Sequence, residues 1–169
     1  CLSALHDIYT TTIAKERQHG TDYSFVLETL KQYLDSVSTE LNHKTTHHDI
    51  LPDDYLANRR HSGGIQFSIA LFAFVRSLPV QRLFESHPWV RPLIDLVADI
   101  SGLLNDILSY PKELKTYSRS QDEAVTVNLV HIKIKQGLTE KEALSECLDR
   151  YHQQLDAFQN ILKTHHAEI

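Results

Sequence analysis

Apolar residues recur every three to four positions along most of the chain, and this period constrains the fold more than any other feature of the sequence. Such a period places apolar side chains along one side of an α-helix. No segment shows the alternation of apolar and polar residues that is typical of a half-buried β-strand, and glycine and proline fall mainly between the periodic segments. The pattern therefore predicts an all-α fold.

Caps, glycines and prolines set the expected helix boundaries. The consecutive glycines Gly63 and Gly64 should end a helix, because glycine destabilises helices and leaves the backbone free. Gly137 should end a later helix as its C-cap, and Thr139 with Glu142 forms the capping box of the last helix. We predict helices over about 2–17, from 21 or 22 to 43, 52–60, 65–77, from 88 to 114 or a little beyond, 124–136 and 139–165, with a loop over 116–123.

The composition fits one soluble helical domain, residues 1–169. The formal net charge of −5 and a pI near 6.1 argue against nucleic acid or an anionic membrane as the main partner. No apolar run is long enough to span a bilayer. Cys1 and Cys147 are the only two cysteines, which is typical of a reducing compartment, so we expect the cytoplasm.

Three oxygen-bearing side chains, Asn105, Ser109 and Glu113, fall in successive turns of the longest predicted helix. At about 100° per residue they lie within about 80° of one another on one face. Periodicity alone favours an ordinary solvated face. The residue types indicate more, because amide, hydroxyl and carboxylate oxygens suit a hard cation such as Mg²⁺, which often shares its coordination shell with substrate phosphates. This helix therefore offers half of a metal–diphosphate site.

The segment from Asn105 to Glu113 resembles the metal-binding motif of class I terpene synthases, (N/D)D-x-x-(S/T)-x-x-x-E. The resemblance implies the α-helical bundle of that family. It also implies that Asn105, Ser109 and Glu113 ligate Mg²⁺, with Mn²⁺ as an alternative, and that Asp106 is a supporting partner. Lys112 stands where the family commonly has a basic residue that contacts the substrate diphosphate.

A second match is the segment YLANRRHSGG, which resembles the family's helix with a diphosphate-sensing arginine and a glycine-containing effector turn. The planar fork of arginine suits this role, because it binds phosphate oxygens bidentately. Arg59 is preferred as the sensor, with Ser62 and Gly63 in the linker and effector positions. If Gly64 is the effector, Arg60 takes the role. A weaker match is an Asn followed by an aliphatic pair, later in the chain in VNLV.

Pro111 lies inside the metal-binding motif. Proline lacks an N–H, and its ring should clash with the carbonyl of Ile107. We therefore expect a bend that displaces Lys112 and Glu113 relative to Asn105.

Other parts of the family pattern are missing. Asp53 and Asp54 are predicted to be first-turn acids of a helix rather than the family's Asp-rich motif. Arg150 and Tyr151 come too early for its C-terminal Arg-Tyr pair, and the chain begins with Cys and contains no Met. We therefore expect a piece of a longer terpene synthase.

The resemblance implies that the parent enzyme ionises a prenyl diphosphate, farnesyl diphosphate being the first choice, to a cation that cyclises to a sesquiterpene. The 169 residues alone should show little or no turnover. The alternative is a non-catalytic helical homologue or interaction module that forms a homodimer through exposed apolar helix faces.

Overall fold

The computed structural model describes residues 6–7, 9–14, 24–46, 50–120 and 128–168. Within these residues all regular structure is helical, which confirms the all-α prediction. The described helices are α1 (Ser24–Thr46), α2 (Pro52–Ser62), α3 (Ile65–Val75), α4 (Val80–Ser86), α5 (Val90–Ser120), α6 (Leu129–Lys135), α7 (Glu140–Thr164) and a 3₁₀ helix (His166–Glu168). Residues 6–7 and 9–14 also have helical backbone, while the other half of the first predicted helix and the predicted cap at 21 or 22 lie outside the described residues.

Helix ends follow the predicted signals at three places. Gly64, between α2 and α3, has a left-handed φ of 72°, so glycine is required at this turn. Gly137, just beyond α6, has φ 101°, and its N–H donates to the carbonyl of Ile134 at 2.9 Å. Thr139 and Glu142 form both bonds of the predicted capping box. These ends set the lengths of the helices around the candidate site.

Several helix bounds differ from the predictions. The helix α5 begins at Val90 rather than at Pro88, and it continues to Ser120, so the predicted loop over 116–123 is wrong for its first five residues. The segment Val80–Ser86, which lies between two predicted helices, is itself helical. Within the predicted helix over 124–136, Asn128 is extended and the helix begins at Leu129, while residues 124–127 lie outside the described residues.

The late start of α6 has a local cause at Asn128. This residue is extended, with φ −144° and ψ 131°, and its side-chain oxygen accepts from the N–H of Val130. Asparagine competes with the helix in this way, bonding to the backbone two residues on, and so favours the cap position over the helix interior. Asn128 is therefore held at the entrance of α6 and not inside it.

The helix α5 is central, because it packs against α2, α3, α6 and α7. One apolar core joins α2, α5, α6 and α7, and a second joins α1, α3 and α4. The fully buried members of the first core are Leu103, Leu129, Val130, Ala143 and Cys147. This packing places the middle of α5 beside the last turn of α2 and the first turn of α6.

No single helix among the described residues is both long and apolar enough to cross a membrane. One bent combination, Pro52–Val75 with Val80–Ser86 at 109°, meets the length and composition requirements.

Candidate functional site

Arg59 extends from the last turn of α2 to two predicted site residues on α5. Its Nη2 donates to Asn105 Oδ1 at 2.8 Å and lies 3.2 Å from Asp106 Oδ1. Its Nη1 lies 3.9 Å from Glu40 Oε1 of α1. The Arg59 side chain is only 20% exposed. A guanidinium largely shielded from water is therefore directed at the helix that carries the candidate metal ligands.

The lack of a side chain at Gly102 makes this approach possible. A Cβ at this position would lie 3.2 Å from Cγ of Arg59, so the arginine would have to move to accommodate it. The Nε of Arg59 is buried and has no hydrogen-bond partner among the described residues. An unpaired buried donor costs about 1–3 kcal/mol, so Arg59 keeps donor capacity that its protein neighbours do not use.

Asp106 is the buried centre of the site, at 2% exposure. Its Oδ2 accepts from the Tyr55 hydroxyl at 2.6 Å and from the N–H of Leu129 at 3.1 Å. Burial raises the pKa of Asp106, although Arg59 and these two hydrogen bonds oppose the shift. Burial also raises the pKa of Tyr55, and the neighbouring carboxylate adds to the effect. The Asp106 side chain thus joins α2, α5 and α6.

Ser109 and Glu113 converge on one amide group. Nδ2 of Asn128 lies 3.1 Å from Glu113 Oε2 and 3.4 Å from Ser109 Oγ. The two predicted ligand oxygens are therefore on the same side of α5, within reach of a single donor atom. The helix is continuous through Pro111. The proline does not separate Ser109 from Glu113.

The residues present fit a divalent metal ion. Asn105 lies one turn before Ser109 and is exposed, and its oxygen accepts from Arg59. The oxygens of Ser109 and Glu113 both contact the same amide nitrogen, so they lie close to one point beside α5. One carboxylate with two neutral oxygens is a donor set that Mg²⁺ accepts. No group of three or more His, Cys, Asp and Glu side chains forms a metal site in the described part of the chain.

The two candidate sensor arginines have different partners. Arg60 donates to both carboxylate oxygens of Asp99, at 2.8 and 2.7 Å, while Arg59 reaches Asn105. This geometry favours Arg59 as the sensor. The two glycines also differ, because Gly64 is left-handed whereas Gly63 has ordinary helical backbone with φ −65°. The turn therefore requires glycine at position 64 more than at position 63.

The turn after α2 is linked to Arg59 directly, through a backbone hydrogen bond, and indirectly, through Glu40. The N–H of Gly63 donates to the carbonyl of Arg59 at 3.1 Å. The hydroxyl of Ser62 donates to Glu40, the same carboxylate that lies near the Arg59 guanidinium. Lys112, the other predicted diphosphate contact, lies on the exposed side of α5. The structure thus brings Arg59, Gly63 and Asn105 together, and Lys112 is exposed further along α5.

Three residues of this site were not predicted from the sequence. Tyr55 lies four residues before Arg59, so both could have been assigned to one face of α2. Gly102 interrupts a helical pattern, which often indicates a close packing contact. Glu40 carries no comparable signal, because only the fold brings it to the turn after α2.

Residues 1–157 match the family described as terpene synthase family 2, C-terminal metal binding. The chain belongs to terpene synthase family 2. The matched range includes α1 to α6 and most of α7, with all candidate residues on α2 and α5. The family description agrees with a metal-binding role for this part of the protein.

Relatives of this family 2 chain are terpene synthases of fungi. Cycloaraneosene synthase of Sordaria araneosa is 33% identical over 98 residues, which are 58% of this chain and 25% of the relative. Silphinene synthase of Penicillium patulum is 36% identical over 94 residues, which are 56% of this chain and 23% of the relative. The matched part of the chain spans about a quarter of the length of these relatives.

A solved terpene synthase has the same fold. The crystal structure of a-eudesmol synthase matches with a TM-score of 0.65 over 89% of this chain and 47% of that one, at 22% identity. Identity this low supports the fold alone. The family 2 chain thus forms part of a terpene synthase helical bundle.

Proposed function

We propose that the protein carrying this chain ionises a prenyl diphosphate with Mg²⁺ as cofactor, releases diphosphate and cyclises the resulting cation to a sesquiterpene. The observation that carries the proposal is the 2.8 Å contact of Arg59 with Asn105, on the helix where Ser109 and Glu113 converge. A phosphate-binding fork and a set of hard-cation ligands thus occupy one site. A metal-bound diphosphate requires this combination of groups.

Each residue has a distinct part in this proposal. Asn105, Ser109 and Glu113 would hold Mg²⁺, or Mn²⁺ in its place. When bound, the ion supplies positive charge that stabilises the negative charge developing on the departing diphosphate. Arg59 exchanges its contact with Asn105 for phosphate oxygens, while its ion pair with Asp106 keeps the guanidinium oriented. Lys112 donates to the diphosphate from the solvent side.

Arg60 and Gly63 contribute through the helix break. Arg60 fixes the end of α2 to α5 through its paired contacts with Asp99. Gly63 bonds to the carbonyl of Arg59, so a movement of Arg59 toward a diphosphate is transmitted to the turn. Arg59 is therefore the sensor in this proposal, and Gly63 with Gly64 forms the turn that responds.

The exposed side of α5 also offers apolar surface next to Asn105. Leu104 is 41% exposed and Leu108 is 70% exposed, and both are close to Asn105 in the helical turn. An apolar surface beside polar ligands suits a prenyl chain whose cation must be kept from water. Farnesyl diphosphate is the proposed substrate because the motifs resemble those of fungal sesquiterpene synthases. The same surface would suit a second copy of the chain, which is the non-catalytic alternative.

The cytoplasm is the proposed compartment. Cys147 is buried as a free thiol, and a reducing compartment preserves such a thiol.

The direct test is to incubate the whole protein that carries this chain with farnesyl diphosphate and to measure diphosphate release and hydrocarbon products. Turnover is expected with Mg²⁺, to be abolished by EDTA, and to return when Mg²⁺ or Mn²⁺ is restored. Turnover that EDTA leaves unchanged would overturn the metal assignment. Failure to consume geranyl, farnesyl or geranylgeranyl diphosphate would overturn the function. The 169-residue chain alone is expected to show little or no turnover in the same assay.

Gly102→Ala is expected to lower kcat/KM of the whole protein by about tenfold. Arg59 would have to shift by a few tenths of an ångström, which should cost part of the roughly 100-fold loss that a 1 Å displacement of a binding group can cause. The added methyl group would lie 3.2 Å from Arg59 Cγ and displace the guanidinium. Stability should hold or rise, because alanine favours a helix over glycine by about 1 kcal/mol. Steady-state kinetics and thermal unfolding measure the two effects. Ser101→Ala, one residue earlier on α5, is the control, and an unchanged kcat/KM for Gly102→Ala would contradict the account.

A further inference from the structure

Asn128 has a fully determined amide orientation. The side chain is 1% exposed, and its Oδ1 accepts from the N–H of Val130 at 2.9 Å as the cap of α6. Because the oxygen must face this N–H, Nδ2 faces α5. There it donates to the carbonyl of Asp106 at 2.9 Å and contacts Glu113 Oε2 and Ser109 Oγ at 3.1 and 3.4 Å. One buried amide thus connects the α6 cap to two candidate metal ligands.

We propose that Asn128 is a positioning residue that holds Ser109 and Glu113 in the arrangement that receives the cation. The inference rests on the proposed function, because that function gives these two side chains their role as metal ligands. Asn128 itself is not proposed as a ligand. It acts through the two oxygens that it orients.

The strengths of the three contacts explain how one amide can do this. Its NH₂ group has two hydrogens for three acceptors. The shortest contact goes to the backbone carbonyl of Asp106, which cannot rotate and therefore anchors Nδ2. The remaining donor capacity is shared by Glu113 and Ser109, whose side chains can rotate. Hydrogen-bonded partners of metal ligands orient them in this way, and their loss weakens metal binding.

Asn128 and its neighbour also connect the ligand side of the site to the arginine side. The N–H of Leu129 donates to Asp106 Oδ2, while the Asn128 amide donates to the carbonyl of the same aspartate. The other carboxylate oxygen of Asp106 lies 3.2 Å from Arg59. The first turn of α6 therefore fixes both the backbone and the side chain at the point where α5 contacts Arg59.

Asn128→Ser separates positioning from helix capping. Serine caps a helix about as well as asparagine. Its side chain is too short to reach Ser109 and Glu113 from the cap position. Thr139→Ala is the matched control, because it removes the cap of α7 and leaves the candidate site untouched. Asn128→Ala removes the cap and the donor together.

The experiment uses the whole protein that carries this chain, and measures Mn²⁺ binding in the presence of inorganic diphosphate, by electron paramagnetic resonance. The Mg²⁺ concentration for half-maximal turnover of farnesyl diphosphate and the thermal midpoint are measured alongside. Asn128→Ser is expected to weaken Mn²⁺ binding and to raise the half-maximal Mg²⁺ concentration by about tenfold. The maximal rate at saturating Mg²⁺ should change much less. Thr139→Ala should lower the thermal midpoint and leave both metal measurements unchanged.

Two outcomes overturn the inference. Either Asn128→Ser matches the unaltered protein in both metal measurements, or Thr139→Ala weakens metal binding equally, which would make the effect one of stability. Glu113→Ala distinguishes this failure from failure of the proposed function. If Glu113→Ala weakens Mn²⁺ binding while Asn128→Ser does not, the positioning role is wrong and the function stands. If the unaltered protein binds no Mn²⁺ with diphosphate, both are wrong.

Discussion

Replacing Glu113 by alanine in the whole protein is expected to lower kcat/KM for farnesyl diphosphate by about 100-fold or more. Glu113 is the one charged member of the candidate ligand set, so its loss removes negative charge as well as an oxygen ligand. It also leaves the Asn128 amide with one fewer acceptor, since Glu113 Oε2 lies 3.1 Å from Nδ2. Steady-state kinetics over a range of Mg²⁺ concentrations measure the effect.

A graded series sharpens this expectation. Asn105→Ala should also severely reduce turnover, since Asn105 is a ligand candidate and the present partner of Arg59. Ser109→Ala removes a neutral oxygen with a longer contact to Asn128, so its effect should be smaller. Glu85→Ala, at an exposed position on α4, is the matched control and should leave turnover unchanged. If Glu113→Ala stays within about twofold of the unaltered protein, the metal assignment is wrong, because loss of a metal ligand costs far more than that.

The sequence predicted the part of the site that lies along one helix. The spacing of Ser109 and Glu113 placed them on one side of α5, and both meet the same amide. That amide belongs to Asn128, on a different helix, so the contact depends on how α6 packs against α5. The predicted helix over 124–136 did not indicate this contact, because it placed Asn128 inside the helix rather than at its cap.

Polarity was a poor guide to exposure on α5. By residue type alone, Leu104 and Leu108 would belong to the apolar side of α5 and Asp106 to its polar side. In the fold Leu108 is 70% exposed and Asp106 is 2% exposed. The period of the apolar residues distinguishes two sides of a helix, but which side is buried depends on the helices that pack against it. Here Tyr55 and Arg59 bring polar groups to the interior side and compensate the buried carboxylate.

The helical backbone of α5 beyond Leu114 could not be predicted from the sequence. The polar residues after Leu114 carry several loop-forming types, yet the backbone remains helical to Ser120. Helix propensity differs little among such residues, so residue type alone does not fix where the helix stops. The predicted break at Gly63 and Gly64 succeeded because a left-handed turn has a strong local requirement for glycine.

Asp106→Ala is expected to lower the free energy of unfolding by about 3–5 kcal/mol, because breaking a buried charge pair leaves its partners uncompensated. The Tyr55 hydroxyl, the N–H of Leu129 and the Arg59 guanidinium would each lose an acceptor. Urea unfolding of the whole protein measures the change. Asp35→Ala is the matched control. Asp35 pairs with Lys31 at 2.6 Å, but the two side chains are 66% and 80% exposed, so its loss should cost under about 1 kcal/mol. A cost that small for Asp106→Ala would contradict the buried network.

Tyr55→Phe tests the hydrogen bond between Tyr55 and Asp106 separately from the charge of Asp106. It removes only the hydroxyl that donates to Asp106 at 2.6 Å, and it should cost about 1.5–3 kcal/mol, the range for a bond to a charged group. In the double variant with Asp106→Ala the two losses should not add, because each single change already breaks the same contact. The coupling should therefore be at least about 1 kcal/mol. Full additivity would mean that Tyr55 stabilises the site by packing alone, and that Asp106 depends on Arg59 and the first turn of α6 for its compensation.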